Sequence, residues 1–241
     1  MRLHAPAFLF LVLFPFSLHA QLSVQPTWLY LDAQRPSASL QLRSVAAEDV
    51  TVRVRDKSSD ASAASCAEWL RFERGTLGLA PKGATAFAVT ADMPAGIRDG
   101  EYAADLVFTR STAADDEGDE LVVPVHVRVG EVYSDVKLAG AGAERKDGEV
   151  IFRFHLTQLG NAAYRGMLDL RLENGSGKEV HARKGPVDVY GKGTVEVVQP
   201  SDAVPPGRYR VYMNFDSDRE DLGDRAIPVL PKKYTIDISM P

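Results

Sequence analysis

A single cysteine, Cys66, stands in 241 residues. That excludes an intramolecular disulfide, and with it the stapled scaffolds typical of small secreted domains. The chain contains no Cys-x-x-Cys, His-x-x-x-His or Gly-x-Ser-x-Gly arrangement and no Gly-rich phosphate-cradling loop. Outside the first twenty residues its histidines are His126, His155 and His181, each alone in a strand-like context. The expectation is a non-enzyme with no cofactor and no metal. Basic excess is also missing: 28 Lys and Arg face 33 Asp and Glu, a net charge of −5, which argues against nucleic acid or an anionic membrane as partner.

Long apolar runs are absent too, with one exception. The chain opens MRLHAPAFLFLVLFPFSLHA, with Arg2 ahead of an uncharged stretch from Ala5 to Leu18 and the small Ala20 at its end. This run is short of the ~20 residues a spanning helix needs and reads as a secretory signal peptide, residues 1–20. No Cys follows it to carry a lipid. The mature protein is therefore expected to be exported, periplasmic or else at the cell surface or secreted, with no membrane insertion after cleavage. Cys66 follows a Ser/Ala-rich segment and is expected to be inert and half-buried.

What is present is period-2 alternation, the signature of half-buried strands. Leu40 and Leu42, then Val50, Val52 and Val54, then Phe87 and Val89 alternate with polar residues. With the opening LSVQPTWLYLD, residues 21–131 hold about seven strand candidates, the count of an immunoglobulin-like sandwich. The second half repeats the plan: Val150, Phe152, Phe154 and Leu156; Leu168, Leu170 and Leu172; Val195 and Val197; Tyr234, Ile236, Ile238 and Met240. Asn174-Gly175-Ser176-Gly177 reads as a hairpin loop. No amphipathic helix of three turns is apparent. The fold class is all-β, two immunoglobulin-like β-sandwich domains in tandem after the signal peptide, with domains at 21–131 and 132–241.

One pattern is written twice. Gly100 to Phe108 reads GEYAADLVF and Gly207 to Phe215 reads GRYRVYMNF. In each half this is the next-to-last strand, where a sandwich carries a Tyr whose hydroxyl turns back onto upstream backbone. The pair is expected to mark equivalent corners. Two acidic runs also match: Asp115, Asp116, Glu117, Asp119 and Glu120 in one half, and Asp216, Asp218, Glu220, Asp221 and Asp224 in the other. Calcium takes such oxygen ligands, but neither run fits the twelve-residue loop with Gly at six and Glu at twelve. Solvated turns are the simpler reading.

The last strand of the first half, ELVVPVHVRV, alternates Leu121, Val123, Val125, Val127 and Val129. These residues fill their own core or are lent to another protein's sheet; burial favours either by ~1.5–3 kcal/mol each. Pro124 argues for an edge position.

The segments SVQPTWLYLD (23–32), PSASLQLRS (36–44), DVTVRVRD (49–56), LGLAPKGATAFAVT (77–90) and LVVPVHVRV (121–129) together resemble the periplasmic pilus-assembly chaperones. The resemblance implies that the 121–129 strand is donated to an unfinished pilin-like or other surface subunit. It also implies that the subunit's terminal carboxylate is clamped between the domains, with Arg128 as the candidate contact. The chain departs from the family at two places: Trp28 stands where the first strand should carry Arg, and Arg128-Val129-Gly130-Glu131 where the last strand should end in Lys. A second resemblance, carried by 158–180 and 205–215, is to two-domain surface proteins that couple a wall-binding domain to an adhesion domain. There Trp28, Tyr30 and Trp69 would contact cell-wall material; otherwise they pack in the core.

Overall fold

The computed structural model describes residues 22–46, 49–58, 64–111 and 120–240. The leader 1–20 and the acidic residues Asp115, Asp116, Glu117 and Asp119 lie outside the described residues. The protein is all-β; among the described residues the helical turns are two short 3-10 segments, Ala67–Trp69 and Gly223–Arg225.

The first half contributes β1 (Leu22–Gln25), β2 (Leu29–Asp32), β3 (Ser37–Ser44), β4 (Val50–Ser58), β5 (Leu70–Phe72), β6 (Thr76–Leu79), β7 (Ala84–Ala91), β8 (Gly100–Ser111) and β9 (Glu120–Val129). They form two sheets, β1-β3-β7-β5 and β2-β9-β8-β4-β6. Their inner faces meet in one apolar cluster that includes Leu40, Val52, Phe87, Leu106 and Phe108. The opening segment is two strands rather than one. Pro26 lacks the N–H that would continue the ladder; before it β1 pairs antiparallel with β3, and beyond it β2 joins the other sheet, parallel to β9. This switch of sheets sets the site described below.

The second half contributes β10 (Ser134–Lys146), β11 (Glu149–Gly160), β12 (Tyr164–Asn174), β13 (Glu179–Val189), β14 (Lys192–Pro200), β15 (Gly207–Asp216) and β16 (Lys232–Met240). Sheets β10-β11-β14 and β13-β12-β15-β16 enclose a second cluster with Phe152, Phe154, Tyr164 and Phe215 at its centre. The β12–β13 hairpin closes on Asn174, whose Oδ1 accepts from the Ser176 and Lys178 amides.

The twin motif forms twin corners. Tyr102 donates its hydroxyl to the Arg98 carbonyl at 2.9 Å, and Tyr209 to the Pro205 carbonyl at 2.6 Å, each four residues upstream. Gly100 and Gly207 sit at φ 158° and 151°, backbone that residues with a Cβ seldom adopt. Tyr102→Phe and Tyr209→Phe are each expected to lower stability by about 1 kcal/mol, the worth of one such hydrogen bond. Urea melts check this, and unchanged midpoints would show that the rings alone hold the corners.

Cys66 is fully buried in the first cluster, not half-buried. Its amide donates to the Ala103 carbonyl, which draws the segment beside β8. Burial pushes its thiol up to about 12, so the thiolate needed for chemistry is withheld. Trp69 is buried against Tyr102 and packs in the core.

The halves meet through residues 130–133. Asn161, between β11 and β12, donates to the Asp99 and Glu131 carbonyls and accepts from the Tyr133 amide; its own carbonyl accepts from the Glu101 amide. Gly130, at φ 61°, lies against the Asp99 carboxylate, where a Cβ would collide.

Candidate functional site

β9 is the strand that sequence analysis singles out. On one side it pairs with β8 along its whole length, Thr109↔Glu120 to Gly100↔Val129. On the other, β2 covers only Val125 to Arg128. Among the described residues, Glu120 to Pro124 has no strand on that side, so main-chain groups there form an open edge.

The side-chain phase of β9 shows which of its residues face their own domain's core. Val123, Val125 and Val127 are 0 % exposed and packed in their own domain's core. Leu121 and Val129 are partly buried against the same cluster. Successive residues of a strand point to opposite faces, so the outward set is Val122, Pro124, His126 and Arg128. Val122 is 48 % exposed. What β9 leaves open is main chain at 120–124 and the Val122 side chain.

The other two outward residues are covered by the second half. The register places Glu101 opposite Arg128, and Tyr30 opposite His126, so all four share the outer face of β2-β9-β8. Cross-strand opposition of unlike charges is itself favourable. Arg128 donates Nε to Glu101 Oε2 at 2.9 Å, with the Glu101 side chain only 3 % exposed. From β12, Arg165 reaches into this face. Its Nη2 donates to His126 Nε2 at 2.7 Å and to the Tyr190 hydroxyl at 2.5 Å. His126 Nδ1 lies 3.1 Å from the same Nη2 and 3.4 Å from Glu101 Oε1. Arg165 is also 3.8 Å from Glu101 Oε1, a charge contact beyond hydrogen-bond reach.

Aromatic rings separate these charges from water. The Tyr30 ring carries the Arg128 guanidinium at 4.4 Å and that of Arg165 at 4.9 Å. Trp28 packs edge-on against Tyr30 and carries Arg225 at 5.2 Å. The aromatic stretch 28–30 thus belongs to the junction between sandwiches. Guanidinium–ring contacts gain strength where water is excluded.

Two guanidiniums, that of Arg165 buried and that of Arg128 largely so, face one carboxylate, so the junction carries surplus positive charge. Burial alone raises the Glu101 pKa. The hydrogen bond and electrostatic pull of His126, then those of Arg128, outweigh it and hold the carboxyl below its ordinary value of 4.5. Burial lowers that of Arg165. Arg165 Nε and the Tyr30 hydroxyl are buried with no hydrogen-bond partner among the described residues. Arg128 Nη1 donates to the Arg225 carbonyl at 2.7 Å.

Sequence reasoning found Arg128 but missed Glu101, His126, Arg165 and Tyr190. His126 alone carried a signal, a polar ring set between Val125 and Val127 that needs a partner once buried. The second acidic run does not converge. Asp221 pairs with Arg219, Asp224 with Arg35, and Asp216 caps the Asp218 amide.

No family model matches the chain, and no curated protein matches it. Among solved structures it is similar to the YadV chaperone, with a TM-score of 0.54 at 8% identity over 90% of this chain and 100% of that one. It is also similar to the CupB2 chaperone of Pseudomonas aeruginosa (TM-score 0.47, 9% identity, 91% and 100% covered). A third is a chain of the CsuC–CsuE chaperone–tip adhesion subunit pre-assembly complex from Csu pili of Acinetobacter baumannii (0.47, 13%, 92% and 100%). The first of these shows that over 90% of the chain the fold is that of the YadV chaperone.

Proposed function

We propose that this protein is a non-catalytic, periplasmic chaperone-like protein that holds a β-rich subunit of a pilus or other surface structure. The open edge of β9 at 120–124 carries the reading. An extended partner segment adds there as a new strand, main chain to main chain, beside the exposed Val122. Pro124 removes one donor from that edge, which shortens the stretch that pairs. Val123, Val125 and Val127 stay in their own core, so the partner is held by strand pairing rather than by their insertion. The cationic junction lies at the covered end of the same strand, and Arg128 there meets the partner's terminal carboxylate by a charge-assisted bond. A shared fold does not by itself assign a task; the edge and the cation beside it are what support this one.

The test is capture from the periplasm of the native host, with tagged mature protein and mass spectrometry. A stoichiometric small β-rich subunit is expected with the native sequence. Val122→Asp places a charge on the exposed edge and is expected to cut that capture about tenfold while the fold persists. Equal capture by the folded variant would overturn edge pairing. Retention on cell-wall material with no protein partner would instead favour a static envelope-binding module.

A further inference from the structure

The guanidinium of Arg128 is already engaged. Its Nη1 donates to the Arg225 carbonyl, in the loop 217–231 between β15 and β16. This loop is held very differently at its two ends. At its root, Ser217 Oγ accepts from the Val229 amide, Leu222 is buried, and Arg219 is pinned to Asp188 at 2.9 Å and Asp221 at 2.6 Å. At its tip, three contacts cross to the first sandwich: the Arg225 carbonyl on Arg128, the Arg225 guanidinium over Trp28, and the ion pair Asp224–Arg35. That ion pair is solvent-exposed, with side chains 73 % and 56 % accessible, and such pairs contribute little. A firm root with a lightly attached tip is the construction of a strap.

We infer that the 217–231 loop is a displaceable strap that occupies Arg128 in the free protein and is exchanged for the terminal carboxylate of a bound strand. The inference rests on the reading of Arg128 as the carboxylate contact. The exchange is chemically matched. A neutral carbonyl oxygen gives way to a carboxylate oxygen on the same Nη1–H, and a charge-assisted bond is the stronger of the two. The Tyr30 hydroxyl has no hydrogen-bond partner among the described residues, and its ring stacks against the same guanidinium; it supplies a donor to the second carboxylate oxygen. Because the loop must leave before a ligand enters, the strap lowers apparent affinity by the fraction of molecules that are open.

The experiment uses the full mature chain and two probes, a synthetic alternating valine–threonine peptide with a free C-terminal carboxylate and the same peptide amidated. The double variant Asp224→Ser/Arg225→Ser removes the tip contacts made by side chains and leaves the Arg219 root intact. The acid peptide is expected to bind this variant about tenfold more tightly than the native sequence, and the amide to bind both alike. Acrylamide should also quench Trp28 more readily in the variant, Trp69 being buried in both. If acid is preferred to amide equally in both proteins, the carboxylate reading stands and the strap is overturned. Unchanged Trp28 quenching overturns the strap as well. If neither protein distinguishes acid from amide, the reading of Arg128 falls and the strap with it.

Discussion

Val125→Asp unfolds the first sandwich. The side chain is fully enclosed, with Leu29 on one flanking strand and Ala104 on the other as its register partners. A carboxylate there has no cation within the apolar cluster that surrounds it, and burying it unpaired costs about 4 kcal/mol or more. That is a large share of the ~5–15 kcal/mol by which a domain is stable. The contrast is Val122→Asp, three residues away and facing outward, expected to change stability by less than about 0.5 kcal/mol. Circular dichroism with urea denaturation of both variants reads the phase of β9 directly. A folded Val125→Asp protein with the native midpoint would mean that the valines are surface groups, and would restore donation of the side chains themselves.

Glu101→Ala is the second large effect. It leaves the buried Arg165, and Arg128 with its side chain 16 % exposed, without the carboxylate that both face. Removing one partner of a buried ion pair costs about 3–5 kcal/mol, chiefly because the remaining charge stays uncompensated. Differential scanning calorimetry should show a large fall in transition temperature, and Glu101→Gln a smaller one because the amide still accepts hydrogen bonds. A native-like transition in Glu101→Ala would mean that the guanidiniums reach water. The acid limb gives an independent reading. The folded-state pKa of Glu101 lies below its ordinary 4.5, so its contribution is fully present above that value and is lost as the pH falls through the folded pKa. Stability of the native protein should therefore drop below pH 4.5 more steeply than that of Glu101→Gln.

The strands were legible because a half-buried strand writes its two faces into the sequence at period two. Leu40 and Leu42, Phe152 and Phe154, and Ile238 and Met240 all lie in the clusters their alternation predicts. The corners were legible because Gly and Tyr each answer a specific local demand. The use of β9 stayed open in the sequence for a physical reason: alternating valines look the same whether they face their own core or another protein's, and the burial free energy is equal in both. The junction was illegible because it depends on register between distant strands. Arg165 meets His126 39 residues away, and Arg128 meets the Arg225 carbonyl across 97. No local pattern encodes those separations. The split of the opening segment was announced by Pro26 alone, which marks a break without saying where the chain goes next.

Asn161 has a mechanical consequence. Its side chain and carbonyl grip Asp99, Glu131, Tyr133 and Glu101 at once, so this residue, which belongs to neither connecting strand, fixes the elbow alongside the Arg165–His126 and Arg128–Arg225 contacts. The linker cannot act as a hinge while that grip lasts. A pull on the second sandwich travels through Asn161 into the start of β8 and the residues just beyond β9, and the two sandwiches turn as a bracket, with the elbow carrying torque instead of yielding to it.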